Sequence, residues 1–200
     1  MKGYTKPLLI VFLVLLADQV LKTWIKTNMY LTQEFKIIGN WFIIHFTENN
    51  GMAFGLEFGG EFGKLALSLF RIAAVAGIGY GLHYLIQRKY HRGLILNVAL
   101  IFAGALGNII DSVFYGVIYK YAGLFHGRVV DMFYFPILEG VFPKWVPVWG
   151  GEDFVFFRPV FNIADAAISV GVIIILIFQK SYFKEDSKEE IGPNNEVVED

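Results

Sequence analysis

Long apolar runs alternate with shorter polar stretches along the 200 residues, and the runs set the architecture. A helix that crosses a bilayer needs about 20 mostly apolar residues, and four stretches reach that length, at about 7–24, 65–86, 94–115 and 161–178. They predict a mainly α membrane protein with four transmembrane helices. Between the first two runs, Phe35-Lys36-Ile37-Ile38 and Trp41-Phe42-Ile43-Ile44-His45-Phe46 flank Gly39-Asn40. Branched and aromatic runs around such a turn predict a β-hairpin or small sheet. Between the last two, residues 132–161 interleave ten aromatics with Pro136, Pro143, Pro147 and Pro159. That composition suits an interfacial segment resting on lipid or contacting a substrate. Residues 181–200 turn acidic and polar and are expected to form a disordered tail after a single membrane domain of residues 1–180.

The positive charges predict sidedness. Lys2 and Lys6 precede the first apolar run, as in a secretory signal. However, Asp18-Gln19-Val20-Leu21-Lys22 stands where a small-residue cleavage site would be, which predicts a retained helix. Arg88, Lys89 and Arg92 fall in the link between the second and third runs. By the positive-inside rule that link and both termini are expected in the cytoplasm, with about 26–64 and 116–160 facing outward.

Composition agrees with lipid as the solvent: 56% of residues are hydrophobic and only 18% charged, against about 25% charged in a typical soluble domain. The net charge of −1 conceals an imbalance. Residues 184–200 carry seven acids and two lysines, which leaves 15 basic and 11 acidic groups in residues 1–183. Nothing in that body suggests nucleic-acid binding. With no cysteine, thiolate catalysis, Fe–S clusters and cysteine zinc sites are excluded. His45, His83, His91 and His126 show no ligand spacing, so neither a metal nor another cofactor is expected.

Ionisable groups inside apolar spans are costly and usually functional. Counting 1.5 Å per residue, Asp18 lies about 16 Å along the first helix and Asp111 about 25 Å along the third, both in the outer half. Asp165 opens the inward-running fourth helix, and Asp131 precedes it, so four carboxylates converge on one level. Asp18 and Lys22 stand at i, i+4, while Asn108 and Asn162 lie three residues before Asp111 and Asp165. The first pair reads as an ion pair that makes the charges tolerable in lipid. For Asn108 with Asp111, structural and catalytic readings remain open. Ala103 and Gly107 form a small-xxx-small pattern that signals close helix packing. Arg71 can be a counter-ion for one acid or snorkel to the interface. A Ser/Lys dyad of Ser112 with Lys22 is conceivable, but Lys22 is more simply paired with Asp18.

Two close carboxylates cannot both ionise, so one keeps a proton while the other can activate water. The motifs Asp18-Gln19-x-x-Lys22, Asn49-x-Gly51-x-Ala53-Phe54-Gly55, Gly104-x-x-Gly107-Asn108-x-x-Asp111, Val129-Val130-Asp131-x-Phe133 and Phe161-Asn162-x-Ala164-Asp165-x-x-Ile168 occur in this order. Together they resemble lipoprotein signal peptidase, the bacterial signal peptidase II family, over about residues 8–178. The resemblance implies a four-helix aspartyl endopeptidase of the bacterial inner membrane with a small outward-facing β-cradle. Its active site would lie near the outer face and cut diacylglyceryl-modified prolipoproteins just before the lipidated cysteine. It implies Asp131 and Asp165 as the catalytic pair. Asn49, Gly51, Asn108 and Asn162 would surround substrate and dyad, while Asp18, Lys22 and Asp111 would support the site. The family usually has arginine where this chain has Ser112, and Arg71 or Arg128 is the candidate to supply that charge. The expected partners are prolipoprotein substrates and membrane lipid, with the chain a monomer. The rival reading is a small proton-coupled transporter or channel, disfavoured because the inner half of every span lacks acids.

Overall fold

The computed structural model describes residues 3–50, 60–136, 138–156 and 160–184. Of the Asn49-to-Gly55 motif only Asn49 falls within them; Gly51 lies outside, as do Pro159 and the acidic tail from 185 onward. Helices α1 (Thr5–Asn28) and α2 (Gly60–Gln87) are followed by α3 (Arg92–Ile110). The chain then passes through a π turn at Asp111–Tyr115 into the short α4 (Gly116–Ile118), and α5 (Ile163–Tyr182) comes last. The four long helices each contain an 18-residue window of mean hydropathy between 1.7 and 2.1, so all four are long and apolar enough to cross a membrane. Helices α1, α2 and α5 are longer than their apolar runs, and α3 outruns its own only when continued through the π turn and α4 to Ile118. The last starts two residues later than expected, because Phe161 belongs to a strand and Asn162 caps the helix. It also continues through Tyr182, past the 180 boundary.

Side-chain chemistry sorts by layer. Leu8, Leu9, Phe12, Leu13 and Val20 on α1, and Ile173, Leu176, Ile177 and Phe178 on α5, point outward with half or more of their surface exposed. A soluble bundle would bury such a face, whereas lipid solvates it. Inside, Val11, Leu82, Ile86, Ile95, Ala99 and Ala103 form one apolar cluster. Ile25, Met29, Phe46, Tyr115, Val130 and Met132 form another. Along α1 the buried Asp18 and Lys22 fall between Val11 and Ile25, so a polar layer is sandwiched between two dry ones.

Helices α3 and α5 pack through glycine. A Cβ on Gly104 would sit 2.2 Å from the Ala164 carbonyl oxygen, and one on Gly107 2.7 Å from Asp18 Oδ2. The small-residue pattern is therefore real, but its register is corrected. Gly104 and Gly107 make the close approaches, while Ala103 packs among the apolar residues on α1 and α2.

The expected hairpin is present as β1 (Glu34–Ile38) and β2 (Phe42–Asn49), antiparallel and closed by Gly39 at φ +54°. The segment after α4, expected as an interfacial belt, contributes further strands: β3 (Val129–Tyr134), β4 (Leu138–Val141), β5 (Asp153–Phe156) and β6 (Val160–Phe161). Four of the six make an antiparallel sheet in the order β1-β2-β3-β6, and β4 and β5 pair separately. Alternating patterning hides β3 because four of its six residues, Val129 to Met132, are buried in succession. Two registers matter most for the site. Thr47 faces Asp131, and Phe133 faces Phe161. The second delivers the chain from the strand carrying Asp131 to the residue that caps α5.

Candidate active site

The site begins with that cap. Asn162 Oδ1 accepts the Asp165 backbone N–H at 2.9 Å, and the Asn162 N–H donates to Asp165 Oδ2 at 3.3 Å, a reciprocal capping box. The box satisfies two orphan donors of the first turn and aims the Asp165 carboxylate at the helix start. The Asn162 amide then reaches across to β3, donating to Asp131 Oδ1 at 2.6 Å, with Val130 O at 3.2 Å and Asn108 Oδ1 at 3.3 Å also in reach. One asparagine thus touches both carboxylates. Asn108 Nδ2 completes the ring by donating to Asp165 Oδ1 at 2.8 Å.

A second polar group lies beneath it. Lys22 is fully buried, and its ammonium reaches Asp111 Oδ2 at 2.8 Å, Asp18 Oδ2 at 2.9 Å and Asn108 Oδ1 at 2.9 Å. Three donors meet three acceptors, the condition for burying a lysine without leaving unmet valence. The backbone N–H of Ala164 donates to Asp18 Oδ1 at 3.0 Å, and that of Val130 to Asp111 Oδ2 at 3.3 Å. These bonds tie α1 to α5 and α3 to β3. Among the described residues no buried side-chain nitrogen or oxygen lacks a partner.

Two sequence expectations are corrected here. Asn108 does not pair with Asp111; its amide spans Lys22 and Asp165 instead. One turn of helix brings the two residues close, but the π turn that starts at Asp111 swings this carboxylate toward α1 and β3. Lys22, expected to serve Asp18 alone, neutralises Asp111 as well.

The ion pairs among the described residues leave Asp131 and Asp165 outside. Burial, and secondarily the charge of Asp165, push the Asp131 carboxyl up from 3.8 to about 7, against the opposing hydrogen bond from Asn162. Of the cations proposed for the charge absent at Ser112, Arg71 reaches the buried Ser112 hydroxyl at 3.4 Å, and its charge acts on Asp165, Asp131 and Asp111, in that order. Arg128 is committed elsewhere, to Glu48 at 3.3 Å and the Tyr121 ring. Asn49, at the end of β2, faces Val129 two residues before Asp131.

Gln19 escaped the sequence reading as a site residue. It donates to Asp18 and Asp111 and accepts from the Tyr115 hydroxyl. Its position one residue after Asp18 conceals it from i, i+4 reasoning; its signal is a polar amide inside an apolar run. Ser68 donates to the Phe125 carbonyl, a structural bond. The four histidines are dispersed, His45 against Glu34, His83 against Tyr4, His91 capping α3 and His126 on the Leu124 carbonyl.

A four-helix chain with a carboxylate pair, Asp131 buried and Asp165 half-buried, bridged by an asparagine and free of a paired lysine, has the make-up of a multi-pass membrane aspartic peptidase. The family described as "Signal peptidase (SPase) II" matches residues 10–180. This chain belongs to the signal peptidase II family. A lipoprotein signal peptidase of Porphyromonas gingivalis is 51% identical over 184 residues, covering 84% of this chain and 80% of that protein. One from Amoebophilus asiaticus is 38% identical over 185 residues, covering 88% and 78%. A solved bacterial membrane enzyme structure at 2.3 Å superposes with a TM-score of 0.61 at 28% identity, covering 92% of this chain and 93% of that one.

Proposed function

We propose that this chain removes the signal peptide from diacylglyceryl-modified prolipoproteins, cutting just before the lipidated cysteine, with Asp131 and Asp165 as its catalytic dyad. The observation that carries the assignment is the division of charge. Lys22 serves Asp18 and Asp111, whereas Asp131 and Asp165 share Asn162 and no paired lysine. Asp165 accepts hydrogen bonds on both oxygens, from Asn108 and the Asn162 N–H, which hold its carboxyl group in a fixed orientation beside Asn162. Asp131, held near 7, is the member that keeps a proton.

In the reaction, Asp165 takes a proton from a water molecule while Asp131 gives its proton to the oxygen of the scissile carbonyl. Water adds to the carbon, and a tetrahedral diol forms. The diol then collapses as Asp165 passes its proton to the leaving amine and Asp131 recovers one from a diol hydroxyl, which restores the starting state. Asn108 and Asn162 orient the two carboxylates. Arg71, within reach of the Ser112 hydroxyl, would meet a carbonyl or carboxylate of the bound peptide. The test is a gel-shift cleavage assay on diacylated and non-lipidated precursor side by side with purified protein. The expected result is cleavage of the diacylated form only; equal cleavage of both would remove the lipid from substrate recognition.

We also place this chain in the inner membrane, with both termini and residues 88–92 in the cytoplasm and the sheet and dyad on the outer side. The cation-rich end, with Arg88, Lys89 and Arg92, supports this orientation. Single cysteines introduced at Lys89 and Glu152 should label oppositely with an impermeant thiol reagent. In intact cells residue 152 should react and residue 89 should not, and the reverse pattern would invert the topology.

A further inference from the structure

We propose that the end of the helical bundle remote from the carboxylates holds a binding site for the headgroup of an anionic phospholipid. An open cavity of about 580 Å³ lies there, formed by the start of α1, the end of α2 and the start of α3. Lys6 on α1, Lys89 after α2 and Arg92 on α3 supply three cations to its wall, and no aspartate or glutamate lines it. All three are exposed, and none has an ion-pair partner among the described residues. The cavity floor includes Ile86 and Ile95, members of the buried apolar cluster. The site is separate from the dyad, since Lys6 precedes Asp18, which accepts the Ala164 N–H next to Asp165, by twelve residues, about 18 Å along the helix axis.

The backbone offers an independent sign. Helix α2 closes with Lys89 N–H on Ile86 O and Tyr90 N–H on Leu85 O, both at 3.1 Å, and Lys89 stands in the left-handed region at φ +54°. Glycine normally fills that position of this helix-ending motif because a Cβ is strained there. A lysine held in glycine's place, with its side chain on a cavity wall, is retained at the expense of local backbone energy.

Charge complementarity and apolar continuity commit the site to one occupant. A phosphodiester meets the three cations, and its acyl chains extend from the apolar floor along the exposed Leu8 and Leu9 of α1. A free phosphate would use the cations and leave the apolar surface unused. The inference stands apart from the proteolytic reading, for it needs only that this end of the bundle meets a leaflet.

The experiment is native mass spectrometry on the full chain in detergent, titrated with phosphatidylglycerol, phosphatidylcholine or glycerol phosphate. Wild type should retain phosphatidylglycerol in preference to phosphatidylcholine, and glycerol phosphate should not displace it. At about the strength usual for a surface lysine or arginine, each single Lys6→Gln, Lys89→Gln or Arg92→Gln should weaken retention about fivefold and the triple variant about a hundredfold. A control double variant, Arg88→Gln with Lys180→Gln, removes charge from the same end outside the cavity and should stay within about twofold of wild type. Lys89→Gly should weaken retention as Lys89→Gln does while raising thermal stability, which separates loss of the site from loss of the fold. Equal weakening in the control would reassign the effect to diffuse surface charge. Displacement by glycerol phosphate would make it a simple anion site, and undiminished retention in the triple variant would abolish it.

Discussion

Asp131→Asn and Asp165→Asn should each lower cleavage by about a thousandfold or more, with the protein still inserted and folded. An amide keeps the shape of the carboxyl group but can neither take a proton from water nor cycle one with its partner. Asn162 can still donate to the oxygen of an asparagine at 131, so the local frame survives. The two variants should part on stability. The Asp131 carboxyl is raised from 3.8 to about 7 in the folded chain. A group raised in this way supports folding fully below its unfolded value, and that contribution is lost as pH rises through about 7. Above pH 8 the buried carboxylate opposes folding by on the order of 4 kcal/mol. Asp131→Asn has no such penalty. It should therefore melt higher than wild type above pH 8, with the difference shrinking toward pH 4. Thermal melts across that range, paired with cleavage assays, check both halves. An Asp165→Asn variant that cuts at near wild-type rate would assign the chemistry to another pair.

The second large effect belongs to Lys22. Lys22→Met leaves Asp18 and Asp111 buried without their shared cation. Breaking a buried ion pair by removing one partner costs on the order of 3 to 5 kcal/mol. The variant should lose thermal stability and abundance, and its cleavage should fall with them. Adding Asp18→Asn and Asp111→Asn to Lys22→Met removes the uncompensated charges and should recover much of the stability. The backbone donors of Ala164 and Val130 can still bond to amide oxygens at 18 and 111. Tryptophan-fluorescence melting of the three proteins in detergent decides the matter. A Lys22→Met chain as stable as wild type yet inactive would move Lys22 from support into the chemistry.

Residue order alone determined the four spans, because about 20 apolar residues in a row have no other stable solution in so small a chain. It also determined the hairpin around Gly39, where local turn chemistry and branched neighbours agree, and the convergence of four acids near one level, since helical rise converts position into depth. The Asn162–Asp165 relation was legible for the same reason: a cap acts within one turn. What only the tertiary structure decided is which acid meets which partner. Lys22 takes Asp111 as well as Asp18 because Gly107 lets α1 lie against α3, a contact between residues some 90 positions apart. Asn108 turns from its neighbour Asp111 to Asp165 because the π turn rotates the helix at that point. Asp131 meets Asn162 because Phe133 pairs with Phe161, and strand register across that gap leaves no periodic trace in the sequence. Local spacing sets which groups share a helix face; the division of one lysine and one asparagine among four carboxylates depends on how the helices and strands pack.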